Sequence, residues 1–261
     1  MDLGLKGKRA LVLSSSRGLG RGIAEALARE GADVVLTARS EDQLKAAADA
    51  INARGEGRAF YVAGDLGKGT EEIHKAAVAA LGGPIDILVA NTGGPPPGTA
   101  LAVQPDAWTP QFDAMVVPVF RLASLVLPDM QASGFGRILV VTSSGIIQPI
   151  PNLVMSNALR ASIRGWAKTL ANEVAKDGIT VNLVLPGRIQ TDRTGELDAA
   201  NAKRSGQSVE AVSAAARAAI PAGRYGDVSE FADVVCFLAS ARAGYVTGSS
   251  IRIDGGSIRS V

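Results

Sequence analysis

The chain has 261 residues, 47% apolar and 20% charged, a balance that buries one large core and excludes a disordered or fibrous protein. A formal net charge of +2, without a face-long run of Lys and Arg, argues against a nucleic-acid partner. One cysteine, Cys236, and one histidine, His74, exclude a disulfide framework, a Cys/His metal site and a Ser-His-Asp triad. Residues 1–7 carry no apolar signal core, and no stretch reaches the roughly 18 consecutive apolar residues of a membrane span. A cytoplasmic protein without a membrane partner is expected.

Strand-like and helix-like segments alternate from the start. Residues 9–13 (RALVL) form a short apolar run, and 21–30 show helical spacing, with Ile23, Ala24, Leu27 and Ala28 on one face and Gly31 as the stop. Residues 32–37 are β-branched and strand-like, 41–54 predict a second helix, and 57–62 a third strand leading to Asp65. A helix at 71–81 and a strand at 85–90 follow. Residues 111–130 read as one long apolar helix, in which Pro118 predicts a kink or a distorted turn. A strand at 137–142, a helix at 157–177, a strand at 180–185, a helix at 231–239 and a strand at 249–254 complete the pattern. Such alternation implies a doubly wound α/β fold, a mostly parallel sheet with helices on both faces. No linker divides it, so 1–261 is read as a single domain. The one long irregular stretch, 188–226, contains a polar helical pattern and is expected to be a substrate lid.

The turn after the first strand reads Leu13-Ser14-Ser15-Ser16-Arg17-Gly18-Leu19-Gly20. Gly18 and Gly20 open the next helix, where small residues let a pyrophosphate approach the backbone amides. A glycine pair alone also makes a simple tight turn; its place between a first strand and a first helix is what points to a dinucleotide. The second strand ends Thr37-Ala38-Arg39, with no acid for a ribose 2′-hydroxyl. Arg39 and Arg17 suit a 2′-phosphate instead, so NADP(H) is expected over NAD(H).

The order of these motifs resembles the short-chain dehydrogenase/reductase family over nearly the whole chain. The resemblance is carried by the G-x-x-x-G-x-G spacing, Asp65-Leu66, Ala90-Asn91-Thr92-Gly93, Pro186-Gly187 with Ile189 and Thr191, Val246-Thr247-Gly248 and Asp254-Gly255-Gly256. It implies a single-domain Rossmann fold. Asp65 and Leu66 would contact the adenine, Asn91 and Gly93 would form the loop beside the cofactor, and Pro186, Gly187, Ile189 and Thr191 would hold the nicotinamide carboxamide. Ser14, Ser16, Arg17, Gly18, Leu19, Gly20, Arg39 and, through the ribose hydroxyls, Arg160 complete the expected cofactor set. Ser14 replaces the family's first glycine, which is tolerable if its φ is negative. The resemblance also implies a homo-oligomer, dimer or tetramer. Likeness to the bacterial 3-oxoacyl reductases suggests a small-molecule or acyl-carrier substrate.

The family's chemistry rests on Asn, Ser, Tyr and Lys, and here the resemblance breaks. Ser143 holds the serine position after the fifth strand; Ser156 falls on the tyrosine, Arg160 on the lysine and Met115 on the asparagine. Tyr61, Tyr225 and Tyr245 are the tyrosines, so no shift of register between 62 and 224 supplies a phenol. A serine hydroxyl is a poor acid and an arginine does not give up its proton. Losing a general acid removes about 10²–10⁴ in rate. One reading is therefore a slow or unusually specific reductase, in which Ser143 bonds a carbonyl oxygen, Arg160 stabilises developing charge, and a water held by Ser156 or Asn157 delivers the proton. The alternative is a dinucleotide-binding sensor or scaffold without turnover. A dehalogenase-like reading fits Arg160, but not the missing Tyr or the retained Gly18, Gly20, Arg39 and Asn91.

Overall fold

In the computed structural model, which describes residues 2–260, the first strand, β1 (Arg9–Leu13), turns through residues 14–17 into α1 (Gly18–Arg29). The same unit then repeats. β2 (Asp33–Ala38), α2 (Glu41–Asn52), β3 (Ala59–Ala63), α3 (Thr70–Leu81) and β4 (Ile87–Asn91) form the first half. The second half contains α4 (Trp108–Met115), α5 (Val117–Ser133), β5 (Gly136–Val141), α6 (Val154–Val174) and β6 (Ile179–Pro186). It closes with α7 (Asp192–Ser205), α8 (Val209–Ala218), α9 (Val228–Ala239) and β7 (Ser250–Ile253). The seven strands make one sheet in the order β3-β2-β1-β4-β5-β6-β7. Every pairing is parallel, where a mostly parallel sheet was expected.

Alternating side chains of each strand feed two cores. On one face Ala10, Val12, Val34 and Leu36 meet α1, α2 and α9 through Ile23, Leu27, Leu44 and Phe231. On the other, Leu11, Leu13, Leu88 and Ile138 meet α3, α5 and α6 through Leu81, Leu122, Val126 and Ile163. Burial on both faces explains why these strands read as continuous apolar runs. The α1–α9 contact is close because Gly22 lacks a side chain: a Cβ there would stand 2.1 Å from Val228 Cγ1.

The long helix expected at 111–130 is two helices. The chain breaks at Val116, and Pro118 occupies the first turn of α5, where its missing N–H costs no hydrogen bond. By length and composition, 105–133 is apolar enough to cross a membrane, with mean hydropathy 1.3. Val119, Leu122, Ala123 and Val126 of that segment are instead buried against the sheet. Helices α1 and α6 each begin three residues before their predicted starts, at Gly18 and Val154. The stretch 188–226 is largely helical, with the Thr191 and Ser208 hydroxyls capping α7 and α8. A parallel bridge between Ile189 and Gly226 draws its ends together.

Candidate active site

The motif residues at 14–20, 91–93 and 186–191 gather at the carboxyl ends of the parallel strands, where open α/β sheets bind ligands. Val246, Thr247 and Gly248 instead precede β7 at the opposite end, the Gly248 amide donating to the Val181 carbonyl. Ser15 ties the first turn down. Its hydroxyl donates to the Val12 carbonyl at 2.7 Å and accepts from the Thr37 amide at 2.9 Å. Ser14 adopts φ +50, so the condition under which a serine is readily tolerated at this turn, a negative φ, is not met. The left-handed turn brings its carbonyl under α1: a Cβ on Gly20 would stand 2.4 Å from the Ser14 oxygen. Asn91 Nδ2 reaches that same oxygen at 3.5 Å, a long contact from the neighbouring strand. Gly18, at φ +58, makes the second left-handed step.

No side chain caps α1, and the amides of Gly18, Leu19 and Gly20 find no acceptor among the described residues. Half-buried Ser16 lies beside them. Free amides at the positive end of a 12-residue helix fit a pyrophosphate. The turn therefore fits a dinucleotide. Arg39 is exposed and forms no ion pair among the described residues. Arg17 is engaged elsewhere, 3.5 Å from Asp192 and 3.7 Å from Glu196 on α7. The Asp65 carboxylate is exposed and accepts from the Gly67 amide at 3.0 Å, while Leu66 packs into the α3 side of the core.

Across the cleft, the exit of β6 is held against β7. The Gly187 amide donates to the Ile253 carbonyl at 2.9 Å, and a Cβ on Gly187 would stand 2.6 Å from Asp254 Cα. Pro186 ends the strand and Ile189 is buried. Thr191 faces Gly18, its methyl 3.8 Å from where a Gly18 Cβ would be. Behind Thr191 lies a polar cluster that motif spacing did not reveal. Asp198, 2% exposed, pairs with Arg188 at 2.5 Å and accepts from the Tyr225 hydroxyl at 2.7 Å and Ser213 at 3.1 Å. Burial raises the Asp198 carboxyl, but the bonds from Tyr225, Arg188 and Ser213 outweigh it and hold its pKa below the usual carboxylate value. Burial and this carboxylate raise the Tyr225 phenol.

The three expected catalytic residues lie on two adjoining elements. Ser143 follows β5, and its hydroxyl oxygen accepts from the Gly145 amide at 3.0 Å, which leaves the O–H proton free to donate. Ser156 and Arg160 are one turn apart on α6, so they share a face. Asn157 fastens the intervening loop to α6: its Oδ1 accepts from the Ile150 amide at 3.3 Å and its Nδ2 donates to the Ile150 carbonyl at 2.9 Å. Arg160 is 7% exposed. It donates to the carbonyls of Val141 at 3.1 Å, Thr92 at 3.2 Å and Gly93 at 3.0 Å, with no carboxylate among the described residues to neutralise it. Burial lowers its pKa to about 10. Met115 is buried. Pro95, Pro96 and Pro97 follow β4, and the next residue, Gly98, donates its amide to the Asn152 carbonyl at 2.7 Å, tying this segment to the loop before α6. None of the tyrosine side chains contacts Ser143, Ser156 or Arg160: Tyr61 packs from β3 into the α2 side, Tyr225 is bound to Asp198, and Tyr245 is fully exposed.

The fold and the cleft define a doubly wound α/β scaffold that fits a nucleotide, and comparison narrows the class. Residues 13–257 match the family model described as enoyl-(acyl carrier protein) reductase, and the chain belongs to the short-chain dehydrogenase/reductase family. It is similar to the 3-oxoacyl-(acyl-carrier-protein) reductases FabG of Vibrio cholerae and Escherichia coli, each 37% identical over 256 residues, covering 97% of this chain and 98% of the relative. L-sorbose reductase from Gluconobacter frateurii, solved with NADPH and L-sorbose, superposes with a TM-score of 0.93 at 32% identity over the full length of both chains. An actinorhodin polyketide ketoreductase solved with NADPH gives a TM-score of 0.89 at 30% identity, covering 96% of this chain and 97% of that one.

Proposed function

We infer that this protein is a cytoplasmic, homo-oligomeric, NADP(H)-dependent reductase of a carbonyl compound, or catalyses the reverse alcohol oxidation, with an atypical catalytic set. The uncapped amino end of α1, together with an exposed Arg39 that forms no ion pair among the described residues, carries the cofactor reading. NADPH in the sorbose reductase and ketoreductase structures supports it. Gly18, Leu19 and Gly20 would bind the pyrophosphate, with Ser14 and Ser16 lining the turn. Arg39 would bind the 2′-phosphate, joined by Arg17 once released from α7. Asp65 and Leu66 would flank the adenine. Asn91 and Gly93 would border the ribose, and Pro186, Gly187, Ile189 and Thr191 the nicotinamide. When bound, the cofactor supplies the hydride.

Chain groups then orient the carbonyl and manage the proton. Ser143 offers its free O–H to the carbonyl oxygen. Arg160 commits three N–H bonds to main-chain carbonyls and retains Nε–H and one Nη1–H for a ribose hydroxyl or for developing negative charge. Ser156, on the same face, holds a water that delivers the proton. A 3-oxoacyl substrate, free or on an acyl carrier, follows from likeness to FabG. Residues 188–226 close over it as a lid. Titration with NADPH and NADH, followed by a carbonyl panel at high enzyme concentration, tests this reading. Tight NADPH binding with substrate-dependent oxidation is expected.

A second reading, a dinucleotide-binding sensor without turnover, is favoured by the commitment of the Tyr225 phenol to Asp198. The double variant S156Y/R160K separates the two. A rise in turnover of about 10²-fold marks an enzyme limited by its missing acid; binding without turnover in either form marks the sensor.

A further inference from the structure

Three segments leave the carboxyl ends of β4, β5 and β6 around Ser143, Ser156 and Arg160: residues 91–105, 142–160 and 186–191. None of them contains an acidic residue, whereas they supply Arg160 and Arg188. Arg188 is balanced by Asp198. Arg160 is buried with carbonyl oxygens as its partners, so its charge stays whole.

Helix α7 adds a further cation. Arg193 is its second residue, a position where positive charge opposes the helix dipole. The backbone there is held fast: the Thr191 hydroxyl accepts from the Thr194 amide at 3.3 Å, and the Thr194 hydroxyl donates to the Ile189 carbonyl at 2.5 Å. From this anchored turn the Arg193 side chain reaches the exit of β4, where its Nη2 lies 4.0 Å from the place a Gly94 Cβ would take. The carbonyl of the preceding residue, Gly93, is the one Arg160 holds at 3.0 Å. Two guanidinium groups, one from α6 and one from α7, thus meet consecutive residues of a single loop.

The counter-ion of Arg193 is weakly held. Glu196 lies 3.3 Å away on the same helix, with both side chains about half exposed, and it is shared with Arg17 at 3.7 Å. Asp192 is turned to Arg17, and Asp198 is taken up by Arg188, Tyr225 and Ser213. An exposed pair three residues apart contributes little and gives way to a better acceptor. A substrate carboxylate is such an acceptor, since it is planar, carries one charge and matches the guanidinium fork with two parallel bonds. A phosphate monoester would bring nearly two charges beside Glu196. We propose that Arg193 is a specificity-determining residue that binds the carboxylate of an oxo acid, so that the substrate is the free acid and not its ester or thioester. This rests on the reading of the cleft as that of a carbonyl reductase.

NADPH oxidation by the full chain with 3-oxobutanoate and with its ethyl ester, at fixed ionic strength, tests it. The acid should show a kcat/KM at least about tenfold above that of the ester. In R193M this acid-to-ester ratio should fall at least about tenfold, chiefly through KM, and R193K, which keeps the charge without the fork, should lie between. R204M removes a cation from the far end of the same helix and should leave the ratio at its wild-type value, which separates a local contact from net charge. E196Q should raise the ratio about threefold. An ester turned over as well as the acid, a ratio unchanged in R193M, or a ratio lowered equally in R204M would overturn the proposal and leave the reductase reading standing. If neither compound is reduced, the reductase reading fails, and calorimetry with 3-oxobutanoate on the NADPH-loaded protein decides the carboxylate contact. Binding at least about tenfold weaker in R193M sustains that contact; equal binding in the two, or none to the wild type, overturns it.

Discussion

Arg160 Nη2 lies 3.0 Å from the carbonyl oxygen of Gly93, so a buried cation on α6 holds the loop that leaves β4. The same guanidinium holds Val141 at the end of β5. One planar side chain thereby fixes the spacing of the two strand ends that frame the cleft, a task suited to the guanidinium fork and not to an ammonium. R160M should lower unfolding free energy by about 2 kcal/mol, because buried carbonyls lose their donor. R160K should cost nearly as much, since an ammonium cannot span both strand ends. Urea denaturation measures both. The depressed pKa of about 10 means that the burial penalty is already complete below that value. The Arg160 contribution to stability should accordingly be flat between about pH 5 and 9.

Arg17 pairs with the α7 carboxylates, and in the proposed function a 2′-phosphate would compete for it. Exposed pairs of this kind are worth roughly 0–1 kcal/mol, so releasing Arg17 should have a modest effect. D192N/E196Q should tighten NADPH binding by about threefold at low salt and leave NADH binding unchanged. Fluorescence titration with both dinucleotides checks this. Equal tightening of both would show that Arg17 does not meet the 2′-phosphate.

The first turn combines a strained residue with a forbidden Cβ. Ser14 is in the left-handed region at φ +50, which costs a non-glycine residue about 1 kcal/mol. S14G should raise the melting temperature by a few degrees at most, since added chain entropy offsets part of the relief. G20A should act in the opposite direction. Its methyl would meet the Ser14 oxygen at 2.4 Å, forcing the turn away from α1. Loss of NADPH binding with folding retained, followed by calorimetry and circular dichroism, is the expected outcome.

Asp198 latches α7 and α8 to the frame through Arg188, Ser213 and Tyr225. Y225F removes one bond to a carboxylate and should cost about 1.5 kcal/mol. D198N leaves Arg188 unpaired and should cost about 2 kcal/mol or more. Because the folded pKa of Asp198 is depressed, its stabilisation is complete above the unfolded carboxylate value and is lost only as pH falls through the lower folded one. Wild-type protein should therefore lose stability on acidification over that range more steeply than D198N, as read from urea midpoints.

Element type was legible wherever burial is a local pattern. Apolar runs flanked by helical periods placed each strand within a few residues, and the glycine turn lies, as expected, between β1 and α1. Boundaries were less legible. Gly18 and Val154 begin helices in the structure, yet glycine and β-branched residues weaken the helical signal at those starts. Pro118 announced a break, but that the break yields two helices depends on how α4 and α5 pack.

Within the cleft, residue identity alone determined which groups are present: a serine after β5, a serine and an arginine one turn apart on α6, and no tyrosine from 62 to 224. Tertiary structure decided their partners. Arg160 meets Thr92 across 68 residues of chain, Tyr225 meets Asp198 across 27, and Arg17 is drawn to α7 instead of standing free. Backbone periodicity is written in neighbouring residues, whereas the partner of a charged side chain is set by which distant elements the folded sheet brings within hydrogen-bond reach.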